Sequence, residues 1–234
     1  MKMKKLLFSL WLALGGCAPA QYDMNDNRFK PGSIEDVIKA TIGIRTEHTY
    51  ESDTLKVKVQ GGATAFGIAY RDGFTYFLTA QHVSDHPAEM RGATYTASAY
   101  TFGEDDRPLN MVVEDDKTDI AIYRAGGSFP LFRDFAEPER IKTGIRVYSV
   151  GFPLMLGAYL KSGMVAGRNE DYIILDAHTN LGDSGSPVVA LDGGEAKLIG
   201  MTVVKYQIGE GIGGIVPVEK IHKFLERNGF GAED

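Results

Sequence analysis

Between residues 40 and 216 the chain never holds a helical period long enough to cover a sheet. Apolar residues recur instead at alternate positions in short runs. In the first half these are 41–46, 55–60, 64–70, 74–79, 95–102, 109–113 and 120–123. In the second half they are 146–150, 158–166, 172–175, 187–191, 197–206 and 213–216. A period of two is the strand period. An α/β sheet needs a crossover helix after nearly every strand, so this pattern excludes it and calls for antiparallel strands joined by turns. Arg71-Asp72-Gly73 carries Asp-Gly between two apolar runs, a hairpin signal, and Asp192-Gly193-Gly194 joins two later runs in the same way. The run Leu55-Lys56-Val57-Lys58-Val59-Gln60 alternates cleanly, which predicts valines inward and lysines outward.

The stretch 125–143 lacks periodicity and carries Gly126-Gly127, Pro130 and Pro138, so it reads as the link between two halves. Each half has its own set of strands, with no internal repeat relating them. Two short helices frame the strands. Ser33 is a natural N-cap for 33–39, with Glu35 and Asp36 in the first turn. From Pro217 to Asn228 the residues Val218, Ile221, Phe224 and Leu225 fall on one face, Pro217 suits the first helical position and Gly229 stops the helix. The expected layout is therefore a leader at 1–20, a polar tether at 21–35, a first barrel-like unit at 36–125, a linker at 126–143, a second unit at 144–217 and a helix with tail at 218–234.

The leader is an export signal. Lys2, Lys4 and Lys5 precede an apolar run from Leu6 to Leu14 that is too short to span a bilayer. Its end has two readings. Ala18-Pro19-Ala20 has the form of an ordinary cleavage site. Leu14-Gly15-Gly16-Cys17 has the form of a bacterial lipoprotein signal, with Cys17 as the lipidated first residue, and the only cysteine of the chain stands at the required place. The lipoprotein reading is preferred, and with it a lipid anchor holding the protein on a membrane of the cell envelope. A lone cysteine also excludes an internal disulfide or a cysteine-based zinc site. The formal net charge of -6, without a dense Lys/Arg stripe, argues against nucleic acid as a partner. No metal or cofactor is expected, since the acidic cluster Glu104-Asp105-Asp106 lacks the spacing of a calcium loop.

Three stretches carry chemistry. Asn180-Leu181-Gly182-Asp183-Ser184-Gly185-Ser186-Pro187 puts a small nucleophile between glycines, ahead of the apolar run Val188-Val189-Ala190-Leu191. A sharp turn there can aim the N–H groups of Gly182 and Ser184 at one point beside the Ser184 hydroxyl, where an oxyanion would form. Phe77-Leu78-Thr79-Ala80-Gln81-His82 ends a strand on a histidine, a side chain able to take and return a proton near neutrality. Asp119 stands immediately before the apolar run Ile120-Ala121-Ile122, at the rim of a strand, where a carboxylate can fix an imidazole tautomer. His48, His86 and His222 read as ordinary structural or surface histidines.

Thr79-Ala80-x-His82, Asp119-Ile120-Ala121 and Gly182-Asp183-Ser184-Gly185-Ser186-Pro187, in that order, resemble the signature blocks of the trypsin-like (chymotrypsin-fold) serine proteases. The likeness covers roughly residues 38–226 and is nearest in character to the bacterial glutamyl-endopeptidase and Deg-type branches. It implies an all-β fold of two antiparallel six-stranded barrels with a C-terminal helix. It also implies a catalytic triad of His82, Asp119 and Ser184, an oxyanion hole at Gly182 and Ser184, and a protein or peptide substrate. The chain ends soon after the last helix, so no peptide-binding PDZ module is expected to follow.

By the same resemblance His178, Thr179, Thr202 and Lys205 are the candidates for the substrate pocket. Thr179 stands where glutamyl endopeptidases carry a threonine, while Thr202 replaces their pocket histidine. In trypsin itself the aspartate matching Asp183 pairs with a new N-terminal ammonium. No Ile-Val-Gly-Gly precedes the first strand here, so Asp183 is expected to be held by backbone donors or by a basic neighbour such as Lys142 or Arg146, without an activating cleavage. The alternative to an endopeptidase is an inactive lipoprotein of the same fold that binds peptides or proteins. An α/β-hydrolase esterase is disfavoured, because Ser186 stands where its G-x-S-x-G elbow requires glycine.

Overall fold

The computed structural model describes residues 33–51, 56–85, 94–100, 106–203 and 211–231. A short helix, α1 (Ile34–Ala40), leads into six strands: β1 (Thr41–Glu51), β2 (Lys56–Arg71), β3 (Phe74–Thr79), β4 (Thr94–Tyr100), β5 (Arg107–Asp115) and β6 (Ile120–Gly126). The second set is β7 (Arg146–Gly151), β8 (Tyr159–Arg168), β9 (Ile173–Asp176), β10 (Pro187–Asp192), β11 (Glu195–Val203) and β12 (Ile212–Pro217), followed by helix α2 (Val218–Arg227). Each set closes into an antiparallel barrel, in the order β1-β2-β3-β6-β5-β4 and β10-β11-β12-β9-β8-β7. Closure leaves neither sheet with a free edge.

Local chemistry explains the ends of these elements. Ser33 and Asp36 form a reciprocal capping box at the start of α1, with the Ser33 N–H donating to Asp36 Oδ2 at 2.9 Å. Asp72 and Gly73 both take positive φ, 52° and 82°, as the tight β2–β3 hairpin requires. Pro217 is the N-cap of α2 rather than its first helical residue, because it also closes the ladder of β12 against Gly200. The apolar face read for α2 is the buried one: Val218, Ile221, Phe224 and Leu225.

Two expectations change. Runs 55–60 and 64–70 belong to one strand, because Gly61-Gly62 continues the pairing with β1 at Thr46 and Arg45 instead of breaking it. The first half therefore has six strands and not seven. The segment Lys56–Gln60 is exposed on both faces, with Val57 38% and Val59 46% accessible. Its alternation is real, but neither valine joins an apolar cluster among the described residues.

Three apolar clusters make up the interior. One fills the first barrel (Ile42, Ile44, Phe77, Tyr123) and one the second (Val147, Ile173, Ile199, Ile215). The third joins Phe66, Leu78 and Ile122 from the first barrel to Val150, Met201 and Val216 from the second, and α2 packs onto it through Ile221 and Phe224. Each such side chain contributes about 1.5–3 kcal/mol on burial. The seam between the barrels is thus a packed surface, so residues facing each other across it are held in fixed relation. The leader, the tether as far as residue 32, Cys17, His86 and Lys205 lie outside the described residues.

Candidate active site

The seam brings together the three stretches singled out above. His82 stands in a single turn, Gln81–Ser84, immediately after β3. Asp119 lies at the start of β6 with φ 56°, a left-handed conformation that aspartate accepts more readily than most residues. β3 and β6 are hydrogen-bonded neighbours, with Thr79 opposite Ala121, so their ends present both side chains at one rim of the first barrel. Asp119 Oδ1 accepts the His82 backbone N–H at 2.9 Å, and His82 Nδ1 lies 2.9 Å from each carboxylate oxygen. A proton on Nδ1 facing that carboxylate leaves Nε2 as an acceptor. Nε2 lies 2.8 Å from Ser184 Oγ, across the seam. Asp119 is 2% exposed and Ser184 7%, whereas the His82 side chain keeps 21% of its surface open.

The loop bearing Ser184 is stitched to both barrels. Thr64 on β2 donates its backbone N–H to the Ser184 carbonyl at 2.8 Å. Its hydroxyl donates to the Gly182 carbonyl at 2.8 Å and accepts the Phe152 N–H at 2.9 Å. On the other side Gly185 N–H donates to the Thr202 carbonyl and Thr202 N–H donates to the Ser186 carbonyl. Gly182 has φ 96°, and a Cβ there would lie 2.5 Å from the Phe152 carbonyl oxygen, so only glycine fits. Asp183, Gly185 and Ser186 spend their N–H groups within the protein. Those of Gly182 and Ser184 find no acceptor among the described residues. Two unspent donors flanking a hydroxyl that is bonded to an imidazole can serve an oxyanion formed at that point.

Asp183 departs from its expected partners. Its carboxylate is fully buried and is met by Lys161 Nζ at 2.5 Å and by the Asn180 N–H at 2.7 Å. Lys142 and Arg146 are exposed and do not reach it. The expectation of backbone donors holds, while the cation comes from β8. Strand parity was the available signal. Lys161, Gly163 and Val165 share one face of β8, with Val165 buried on it, and a bulge between Val165 and Gly167 interrupts the alternation beyond. With lysine and glycine at two of these three positions, that inward face carries little apolar mark in the sequence. Thr64 had no local signal at all.

Of the pocket candidates, His178, Thr179 and Thr202 come together with Ser149 and Lys161 around a small cavity of about 10 Å³, the space of a single water. His178 is exposed and Thr202 is buried. His48 lies buried within β1, and the His222 ring on α2 rests 5.6 Å from that of Phe135.

Two closed barrels with a serine, a histidine and an aspartate in hydrogen-bonded series at their seam define a class, the chymotrypsin-like fold. The model of the trypsin-like peptidase domain matches residues 63–201, and the chain belongs to that family. It is 29% identical over 227 residues to serine protease HTRA1 of Xenopus tropicalis, covering 90% of this chain and 46% of that protein. A probable periplasmic DegP-like serine endoprotease of Chlamydia pneumoniae is 27% identical over 127 residues, 50% of this chain and 25% of that protein. The chain thus spans about half or less of the length of these relatives. The crystal structure of the serine endoprotease from Yersinia pestis has the same fold, with a TM-score of 0.62 at 19% identity, covering 85% of this chain and 67% of that one.

Proposed function

We propose that the protein is a serine endopeptidase that works through an acyl-enzyme. The observation that carries this reading is the unbroken series from the Asp119 carboxylate through both nitrogens of His82 to the Ser184 hydroxyl. His82 Nε2 takes the Ser184 proton as Oγ attacks the scissile carbonyl carbon. The carbonyl oxygen becomes an oxyanion and is received by the N–H groups of Gly182 and Ser184. When the tetrahedral adduct collapses, the C–N bond breaks and His82 delivers its proton to the leaving amine. Water then repeats the cycle on the acyl ester and restores Ser184. Asp119 holds the ring in the Nδ1–H tautomer and stabilises the imidazolium. The substrate is a protein or peptide, in keeping with the family and with relatives named as proteases.

The DegP-like relatives are named as periplasmic, which agrees with the export signal read at 1–20. On this reading the protein works in the cell envelope, tethered by lipid on Cys17. Labelling with a fluorophosphonate tests the chemistry. Wild type is expected to label, and Ser184→Ala and His82→Ala are expected not to, with peptide hydrolysis falling by several orders of magnitude in each. A folded wild type that neither labels nor cleaves peptides would favour the inactive binding protein. Incorporation of an alkyne fatty acid that disappears in Cys17→Ser would test the anchor.

A further inference from the structure

We propose that Lys161 is a positioning residue, the internal counter-ion that holds the nucleophile loop in its reacting shape in an uncleaved chain. The inference rests on the serine-protease reading of Ser184. Asp183 links Gly182 to Ser184, the two residues whose N–H groups are unspent. A backbone rotation at Asp183 that carries its carboxylate out of the interior turns both donors. A carboxylate with no exposed surface is stable only with a cation or strong donors beside it. Oδ2 has both, Lys161 Nζ at 2.5 Å and the Asn180 N–H at 2.7 Å.

Asn180 is in the same loop and would move with it, so its N–H cannot by itself tie the loop to the barrel. Lys161 can. It sits in the ladder of β8 opposite Ser149 of β7, and its side chain is only 20% exposed. The space around the pair is close-fitting on one side: a Cβ on Gly151 would lie 2.4 Å from Ser186 Oγ and 2.5 Å from Asp183 Oδ1. The alternative loop state places Asp183 in water, where the attraction to Lys161 is screened. The ion pair consequently favours the inward state by its difference between the two. A cation on a strand does here what a cation created by chain cleavage would otherwise have to do.

The test compares wild type, Lys161→Met, Lys161→Arg, Asp183→Asn and the double variant Lys161→Met/Asp183→Asn. It reads kcat, KM, fluorophosphonate labelling rate, intact mass and thermal unfolding. Mature wild type, beginning at Cys17, is expected to label without any further cut. Lys161→Met should lose about 10²–10³-fold in kcat with KM nearly unchanged, the loss expected of a misplaced oxyanion donor. Lys161→Arg should stay within tenfold of wild type. In the Asp183→Asn background the methionine should cost little more, because the charge it answers is gone.

A Lys161→Met protein with wild-type kcat overturns the proposal. So does an equal loss on adding the methionine to Asp183→Asn. Should Lys161→Met fail to fold, the double variant has no buried unpaired charge, and a Lys161→Arg protein no more active than that double variant overturns it as well. A mature wild type that labels only after a further cut between Cys17 and β1 does the same. A folded wild type that never labels sinks the serine-protease reading instead.

Discussion

The hydroxyl of Thr64 donates to the carbonyl of Gly182 across the seam between the barrels, at 2.8 Å and over 118 residues of sequence. The same oxygen accepts the Phe152 N–H, and the Thr64 main chain bonds the Ser184 carbonyl. One side chain on β2 therefore registers the Ser184 loop of the second barrel against the barrel that carries His82 and Asp119.

Thr64→Val removes the hydroxyl, so the buried Gly182 carbonyl loses this donor and the Phe152 N–H loses this acceptor. The expected cost is ~2–4 kcal/mol in urea unfolding. kcat should fall about 10- to 100-fold as the Gly182 peptide loosens. Thr64→Ser, which keeps both bonds, should recover most of each loss. An unchanged kcat in a folded Thr64→Val protein would remove Thr64 from the positioning of this loop.

Asp119→Asn separates geometry from electrostatics. Asparagine tolerates the left-handed φ of 56° as well as aspartate does, so the backbone should hold. The amide can donate to Nδ1 and so select the tautomer whose proton faces Ser184. kcat should fall by about 10⁴ with the melting temperature nearly unchanged. Measuring both on one preparation checks the pair of expectations.

Gly185→Ala asks for something the loop cannot give. Its φ is 87°, and the new Cβ would stand 2.0 Å from the Thr64 carbonyl oxygen and 2.3 Å from Thr79 Oγ1. The first of these is backbone and cannot swing aside. Destabilisation of about 3–5 kcal/mol is expected from overpacking and backbone strain together, with loss of labelling. Gly193→Ala, at φ 60° with nothing within 4 Å, should cost only ~1 kcal/mol. Parallel urea titrations distinguish the two.

Arg227 on α2 donates to Asp115 at the end of β5, 2.6 Å away, clasping the last helix to the first barrel. That bond, helped by the Lys117 N–H and opposed by desolvation, holds the Asp115 carboxyl below the usual aspartate range. A folded-state pKa below the unfolded value of ~3.9 gives stability that is complete above pH ~5. It is lost as the pH falls through the depressed pKa. Arg227 is 62% exposed, so Arg227→Gln should cost under about 1 kcal/mol at pH 7. The gap between variant and wild type should close at pH ~2. A gap that widens on acidification would contradict the assignment.

The sequence alone determined whatever depends on near neighbours along the chain. Alternation marked the strands, Asp72-Gly73 and Asp192-Gly193-Gly194 marked their turns, and Ser33 with Asp36 and Pro217 with Gly229 marked the helix ends, because each is a matter of a few consecutive dihedrals. The stretches bearing His82, Asp119 and Ser184, which the fold brings together, stood out through their short motifs. Only the tertiary structure decided what depends on where one barrel meets the other. Whether Val57 and Val59 are covered, whether Gly61-Gly62 breaks a strand, which cation meets Asp183 and what Thr64 bonds to are all settled by barrel closure and by the packed seam. These partners lie up to 120 residues apart, Thr64 to Ser184, and no local propensity reports a contact of that kind.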